Sequence, residues 1–141
     1  MALDNIFGIA GSALNAQTAR MNVVASNLAN ASTVAGTEKE AYRGKRTIFK
    51  TVLEQQTQPR DLNYKGGVKV EGLTDDPAPV RRMSDPGNPL ADKDGFVYLS
   101  NVNEMTEMVE MMAASRSYQN NVEVVNTARQ LMLRTLDITR S

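Results

Sequence analysis

The chain has no cysteine, no histidine and no tryptophan, and each absence removes a class of function. Without cysteine there is no disulfide and no thiolate chemistry, a usage compatible with an extracytoplasmic location. Without histidine the commonest general base and the commonest metal ligand are missing, so a serine nucleophile has no imidazole to activate it. Aromatic residues make up only 5% of the chain, which argues against a large compact core. Neither sign of charge is in excess. Sixteen Lys and Arg balance sixteen Asp and Glu, an argument against nucleic acid or an anionic membrane surface as partner. No stretch approaches the roughly 20 apolar residues needed to span a bilayer. The N-terminus lacks a basic start and a long apolar run, so no cleaved secretory signal is expected there.

Catalytic and ligand-binding signatures are equally scarce. No P-loop, GxGxxG or GxSxG sequence occurs. Asp92-Lys93-Asp94-Gly95 opens like a calcium loop, but Gly comes too early and Asn103 stands where the last carboxylate ligand belongs. A turn between strands is expected instead. The adjacent Asp75 and Asp76 read as solvated loop charges, and the basic run Arg43, Lys45, Arg46, Lys50 reads as a solvated strand face. No enzymatic activity, no metal or other cofactor, no nucleic acid and no small-molecule substrate is expected.

What the chain does have is two long segments without proline. The C-terminal one predicts a helix from about Val102 to about Ile138, capped by Asn101 or Asn103. Acids come early (Glu104, Glu107, Glu110) and bases late (Arg129, Arg134, Arg140), the order the helix macrodipole favours. Tyr118, Val125 and Met132 recur every seven residues, with Val122 and Leu136 at the half-turns. A second row runs Val124, Leu131, Ile138, with Ala128 beside it. Two apolar rows imply neighbours on two sides.

Residues 1 to about 34 predict the other helix. Phe7, Leu14, Met21 and Leu28 lie seven apart, and Leu3, Ala10, Gln17, Val24 and Ala31 interleave. Only Asp4 and Arg20 are charged, so the remaining faces carry Ala, Ser, Asn, Thr and Gln. A solvated helix normally has a charged outer face; this one is suited to contact all round.

Between them the composition changes. Residues 37–100 hold 21 of the 32 charged residues and all five prolines. Strands are expected over Ala41–Leu53, Val68–Glu71, Val80–Met83 and Gly95–Leu99, with a polar loop at Gln55–Leu62 and a rigid turn at Asp85–Pro89. The expected class is therefore α+β, with long N- and C-terminal helices pairing as a coiled coil around a small β-rich insertion. The expected division is 1–35, 36–100 and 101–141.

The stretch Ala25-Ser26-Asn27-Leu28-Ala29-Asn30, followed by Thr33, resembles the N-terminal signature of the axial proteins of the bacterial flagellum. Ser115-Arg116-Ser117-Tyr118-Gln119-Asn120-Asn121-Val122 resembles the C-terminal signature of the same superfamily. Asp85-Pro86-Gly87-Asn88-Pro89-Leu90-Ala91-Asp92, Gly95-Phe96-Val97, Asn101-Val102-Asn103 and Glu107-Met108-Val109 are similar to its short proximal rod members. The likeness runs from Ile6 to about Leu136. Met83-Ser84 replaces a frequent aromatic before the turn, and the end from Asp137 is more polar than usual.

The resemblance implies a structural subunit of the periplasmic proximal rod, exported by the flagellar type III apparatus without a cleaved signal. It implies copies of the chain packed helically around a channel, beside the other proximal rod proteins, the rod–ring adaptor and the membrane-ring protein. Subunit packing would then fall to Leu3, Phe7, Leu14, Met21, Val24 and Leu28 on one helix. Tyr118, Val122, Val125, Met132 and Leu136 would serve on the other. Asn27, Asn30 and Gln119 are candidate hydrogen bonders between helices, and Arg129 a candidate for fixing register. A soluble coiled-coil adaptor or export chaperone would also explain the heptads, but neither the proline-bounded insertion nor the two signatures.

Overall fold

The computed structural model describes the backbone of residues 2–54 and 65–140 and the side chains of residues 5–52 and 66–138. The expected Gln55–Leu62 loop and the Leu3 side chain lie outside the described residues. In chain order the elements are α1 (Ala2–Asn30), β1 (Val34–Ala35), β2 (Lys45–Glu54), β3 (Lys65–Asp75), β4 (Arg81–Ser84), β5 (Phe96–Leu99) and α2 (Glu104–Arg140). Two long helices with antiparallel strands between them make an α+β chain.

Helix α1 stops about four residues sooner than its apolar rows suggest. The Thr33 N–H turns back to the Asn30 carbonyl, and the next two residues are taken into a sheet as β1. Helix α2 starts at Glu104 because the Asn103 side chain accepts the Thr106 N–H at 3.1 Å, closing the first turn. Asn101, the other candidate cap, is used differently. It accepts the Gly44 N–H at 2.7 Å and donates to the Ala78 carbonyl at 2.8 Å.

Strand β5 is the centre of a three-stranded antiparallel sheet in the order β1-β5-β4. Val97, fully buried, is its inward residue, and Ser84 faces Phe96 across the β4–β5 pair. The turn joining these strands is closed by the Asp85 N–H on the Gly95 carbonyl at 2.9 Å. Gly95 sits at φ +79°, a backbone state that side chains with a Cβ resist. Strands β2 and β3 form a separate pair, antiparallel where the Asp76 N–H meets the Gly44 carbonyl at 2.6 Å.

The chain forms two compact units, each drawing on both helices and on the strands between them. One comprises 20–47 and 73–112. Its core joins Val24 and Ala31 of α1 with Ala41, Val97 and Val102, and it also shuts Asn27, Ser100 and Glu107 away from solvent. The other comprises 1–19, 48–72 and 113–141. There the buried residues are Ala10, Ala16, Ala114 and Ala128, small side chains that let backbones approach closely. The Ser12 hydroxyl accepts the Val68 N–H at 3.1 Å and ties β3 to α1. Among the described residues, no helix is long and apolar enough to cross a membrane.

Candidate functional site

The candidate site is a polar core between the helices together with the apolar faces beside it. In the unit containing Asn27, the α1 row Val24, Ala31 is buried, as the heptads predict. The companion row is displaced by one residue. Asn27 takes the buried place beside Val24, and Leu28 and Met21 flank the seam half-covered.

A polar network fills that place. The Asn27 amide donates to a Glu107 carboxylate oxygen and to the Lys45 carbonyl, each at 2.9 Å. Its oxygen accepts the Lys45 N–H at 2.8 Å and the Tyr42 hydroxyl at 3.0 Å. Asn27 thereby uses both donors and both acceptor positions of its amide. The other Glu107 oxygen accepts an Arg46 N–H at 2.7 Å, and Arg46 also reaches Asp76 at 3.4 Å. Glu107 has 1% of its side chain exposed whereas Arg46 has 42%, so a buried carboxylate is neutralised by a guanidinium that keeps one side in water. One helical turn away, Arg20 of α1 pairs with Glu110 of α2.

Two expectations are corrected here. Arg46 does not belong to a merely solvated basic face, because its guanidinium is drawn to the carboxylate between the helices. Asp76 is not a plain loop charge either: it faces Arg46 and accepts the Ala78 N–H at 2.9 Å. Sequence reasoning missed Glu107 as a buried residue, yet a signal exists. Stepping back seven residues from the buried Ala114 lands on it.

The remaining candidates divide. Asn27 does bond between helices, whereas the Asn30 amide turns back to the Ser26 carbonyl of its own helix at 2.8 Å. In the unit holding the chain ends, Phe7, Leu14, Tyr118, Val122, Val125 and Met132 are half-buried. Gln119, Arg129 and Leu136 are exposed, as are Val124, Leu131 and Leu133. These helices therefore cover one apolar row within the chain and leave large apolar side chains exposed on either side of it.

The DPGNPLAD turn is rigid for a visible reason. One Asp92 carboxylate oxygen accepts the N–H groups of Asp94 and Phe96, both at 2.9 Å. The Phe96 N–H, helped by that of Asp94, by the nearby Arg82 charge and by the Tyr98 hydroxyl, holds the Asp92 carboxyl below the usual carboxylate range. Partial desolvation opposes the shift without reversing it. Arg82 itself lies over the Phe96 ring, 3.6 Å from its centroid. Among the described residues no cluster of three or more carboxylates, cysteines or histidines is placed to hold a metal ion. Each carboxylate in the polar network has partners: Glu107 meets Asn27 and Arg46, and Asp76 meets Arg46 and the Ala78 N–H.

Comparison with known proteins meets this geometry at its two helices. A family model described as "Flagella basal body rod protein" matches residues 7–36, most of α1 together with β1. One described as "Flagellar basal body rod FlgEFG protein C-terminal" matches residues 93–138, which contain β5 and nearly all of α2. Over 138 residues the chain is 50% identical to the flagellar basal-body rod protein FlgC of Yersinia enterocolitica, covering 98% of each. The protein of the same name from Salmonella typhimurium is 49% identical over the same share of both chains. That from Buchnera aphidicola of Acyrthosiphon pisum is 44% identical over 140 residues.

Proposed function

Because the chain belongs to the FlgC family of flagellar basal-body rod proteins and is a structural subunit of that rod, we propose that its helices carry the contacts between subunits. Copies of the chain pack helically with the other proximal rod proteins, and the rod–ring adaptor and membrane-ring proteins are further neighbours. In that assembly the helices transmit torque, contribute to the wall of an export channel and are required for motility. The subunit reaches the basal body through the flagellar type III apparatus with no signal cleaved.

The observation that carries this reading is the set of large apolar side chains that α2 leaves half exposed on the two flanks of its covered face. Val124 and Leu131 on one flank of the covered face and Leu133 on the other stay about half exposed in the single chain, where each stands to gain about half of the roughly 1.5–3 kcal/mol that full burial is worth. The exterior of α1 is uncharged apart from Asp4 and Arg20, so it too accepts neighbours without stranding a charge. Phe7, Leu14, Met21, Leu28, Tyr118, Val122, Val125, Met132 and Leu136 lie on or beside these faces, with Leu3 in the first turns of α1. Gln119 and Arg129 supply polar contacts from the exposed side.

Leu133→Asp tests the reading, because the residue is exposed and its loss leaves the single chain folded. The variant should keep the thermal melting point of the purified monomer, and cells carrying it should be non-motile with no labelled subunit in their basal bodies. Motile cells with normally assembled Leu133→Asp rods, and the same outcome for Leu131→Asp, would remove both flanks of α2 from the packing scheme.

A further inference from the structure

The first turns of α2 are polar on the inside and apolar on the outside. Glu107 and Ala114 share the buried face, with Glu110 beside them. Met105, Met108, Val109 and Met112, spaced i, i+3, i+4, i+7, share the opposite one, and they are 74%, 53%, 58% and 59% exposed. Ordinary amphipathicity is thus inverted. A contiguous exposed apolar stripe on a helix marks a contact surface, and methionine, unbranched and polarizable, adapts to irregular hollows.

The chain also carries such a hollow. In the unit holding the chain ends, Ile6 of α1 and Val124, Thr127 and Leu131 of α2 line a groove of about 360 Å³, with Glu123 at its rim. Arg81 lines the same depression as Met105 beside the methionine stripe. It gives one hydrogen bond, from Nε to the Ser100 carbonyl, which leaves the outer guanidinium nitrogens for another partner. Glu104, the acid in that depression, accepts the Ser32 hydroxyl at 2.9 Å. An apolar stripe edged by a cation and an apolar groove edged by an anion are matched in chemistry, and each stands open in the single chain.

We propose that the methionine stripe Met105–Met112 of one copy seats in the Ile6–Val124–Leu131 groove of a second copy, with Arg81 meeting the second copy's Glu123. This contact deepens the packing reading and rests on it. Two different patches on one chain make a head-to-tail contact, which leaves each copy with a free patch and so propagates.

The absence of cysteine allows a direct test. Met108→Cys and Val124→Cys variants, bearing different tags, are expressed together in cells lacking the native copy. Basal bodies are isolated and treated with a short bismaleimide. A cross-linked species carrying both tags is expected, and none when either variant is expressed alone. A Met108→Cys dimer formed alone, an adduct between Met108→Cys and a different protein, or no adduct although both tags are present would each overturn the proposal. If these substitutions prevent assembly, charge reversal decides. Arg81→Glu and Glu123→Arg should each lower assembly tenfold or more, and expressing the double variant should restore it; failure of that rescue overturns the pairing. Absence of the tagged native chain from basal bodies would instead sink the packing reading itself.

Discussion

Asn27 of α1 and Glu107 of α2, both closed to solvent, are joined by a 2.9 Å hydrogen bond between an amide and a carboxylate. The bond is part of a network in which, among the described residues, the charge balancing Glu107 comes from Arg46. That arrangement makes the two ends of the ion pair unequal under mutation.

Arg46→Met strands a buried carboxylate, and removing one partner of a buried pair costs about 3–5 kcal/mol. Glu107→Gln leaves instead a guanidinium that already touches water and keeps an acceptor for Asn27. Its cost should be nearer the ~1–3 kcal/mol of an imperfectly satisfied buried group. Urea unfolding of the purified monomer measures both, and equal losses would contradict the asymmetry in exposure.

Much of this chain is legible in its sequence, and the limits have a physical cause. The four strands expected between residues 41 and 99 appear, shifted by a few residues at their ends, because alternation and glycine–proline punctuation are local signals. Strand β1 was not visible: two residues hold no pattern, and only pairing with Leu99 and Tyr98 makes Val34 and Ala35 a strand. Of the row Ala10, Gln17, Val24, Ala31 the two alanines at its ends and Val24 are buried and Gln17 is half covered, while beside it Asn27 rather than Leu28 is shut from solvent. Apolar periodicity finds buried residues only when they are apolar. Asn27 and Glu107 satisfy each other, so they occupy core positions that a hydrophobic pattern assigns to their neighbours.

Two glycines should respond in opposite directions. A Cβ added at Gly8 in α1 meets nothing within 4 Å, so Gly8→Ala should raise helicity and stabilise the monomer by up to about 1 kcal/mol. At Gly95 the positive φ and the Pro86 ring, 3.3 Å from an added Cβ, make alanine costly. A left-handed non-glycine residue there should lose about 1–2 kcal/mol. Far-UV circular dichroism with thermal melting distinguishes the two.

The β4–β5 turn should withstand mild acid. Asp92 titrates below the usual carboxylate range in the folded chain because backbone N–H groups, that of Phe96 foremost, favour its charged form. Its contribution to stability is therefore complete above the unfolded value, about 4, and is lost as pH falls through the lower folded value. In a carboxyl-detected NMR titration the Asp92 midpoint should fall below the ordinary aspartate value of about 4. Asp92→Asn should remove this part of the acid dependence, and an Asp92 midpoint above the ordinary value of about 4 would contradict the hydrogen-bond account.

Protection from hydrogen exchange should be uneven in dilute monomer. Residues Val24–Ala31 and Glu107–Ala114 flank the buried network and should exchange slowly. Ile6–Leu14 and Val124–Leu136, with large side chains left partly in water, should exchange much faster. In this account the chain ends become fully ordered helices only with neighbours, since helices without packing are marginal. Uniformly strong protection across Ala10–Leu28 in the monomer would contradict it.

The buried network has a mechanical meaning as well. Two greasy helices sliding past each other exchange one set of nonspecific contacts for another, and little resists a slip along their axes. A slip here would pull Asn27 off the Lys45 backbone and leave Glu107 facing hydrocarbon without its cation. The helix pair is thus a keyed joint, in which axial position is held by one polar key seated near Tyr42 and Arg46, while the greasier contacts around it supply grip.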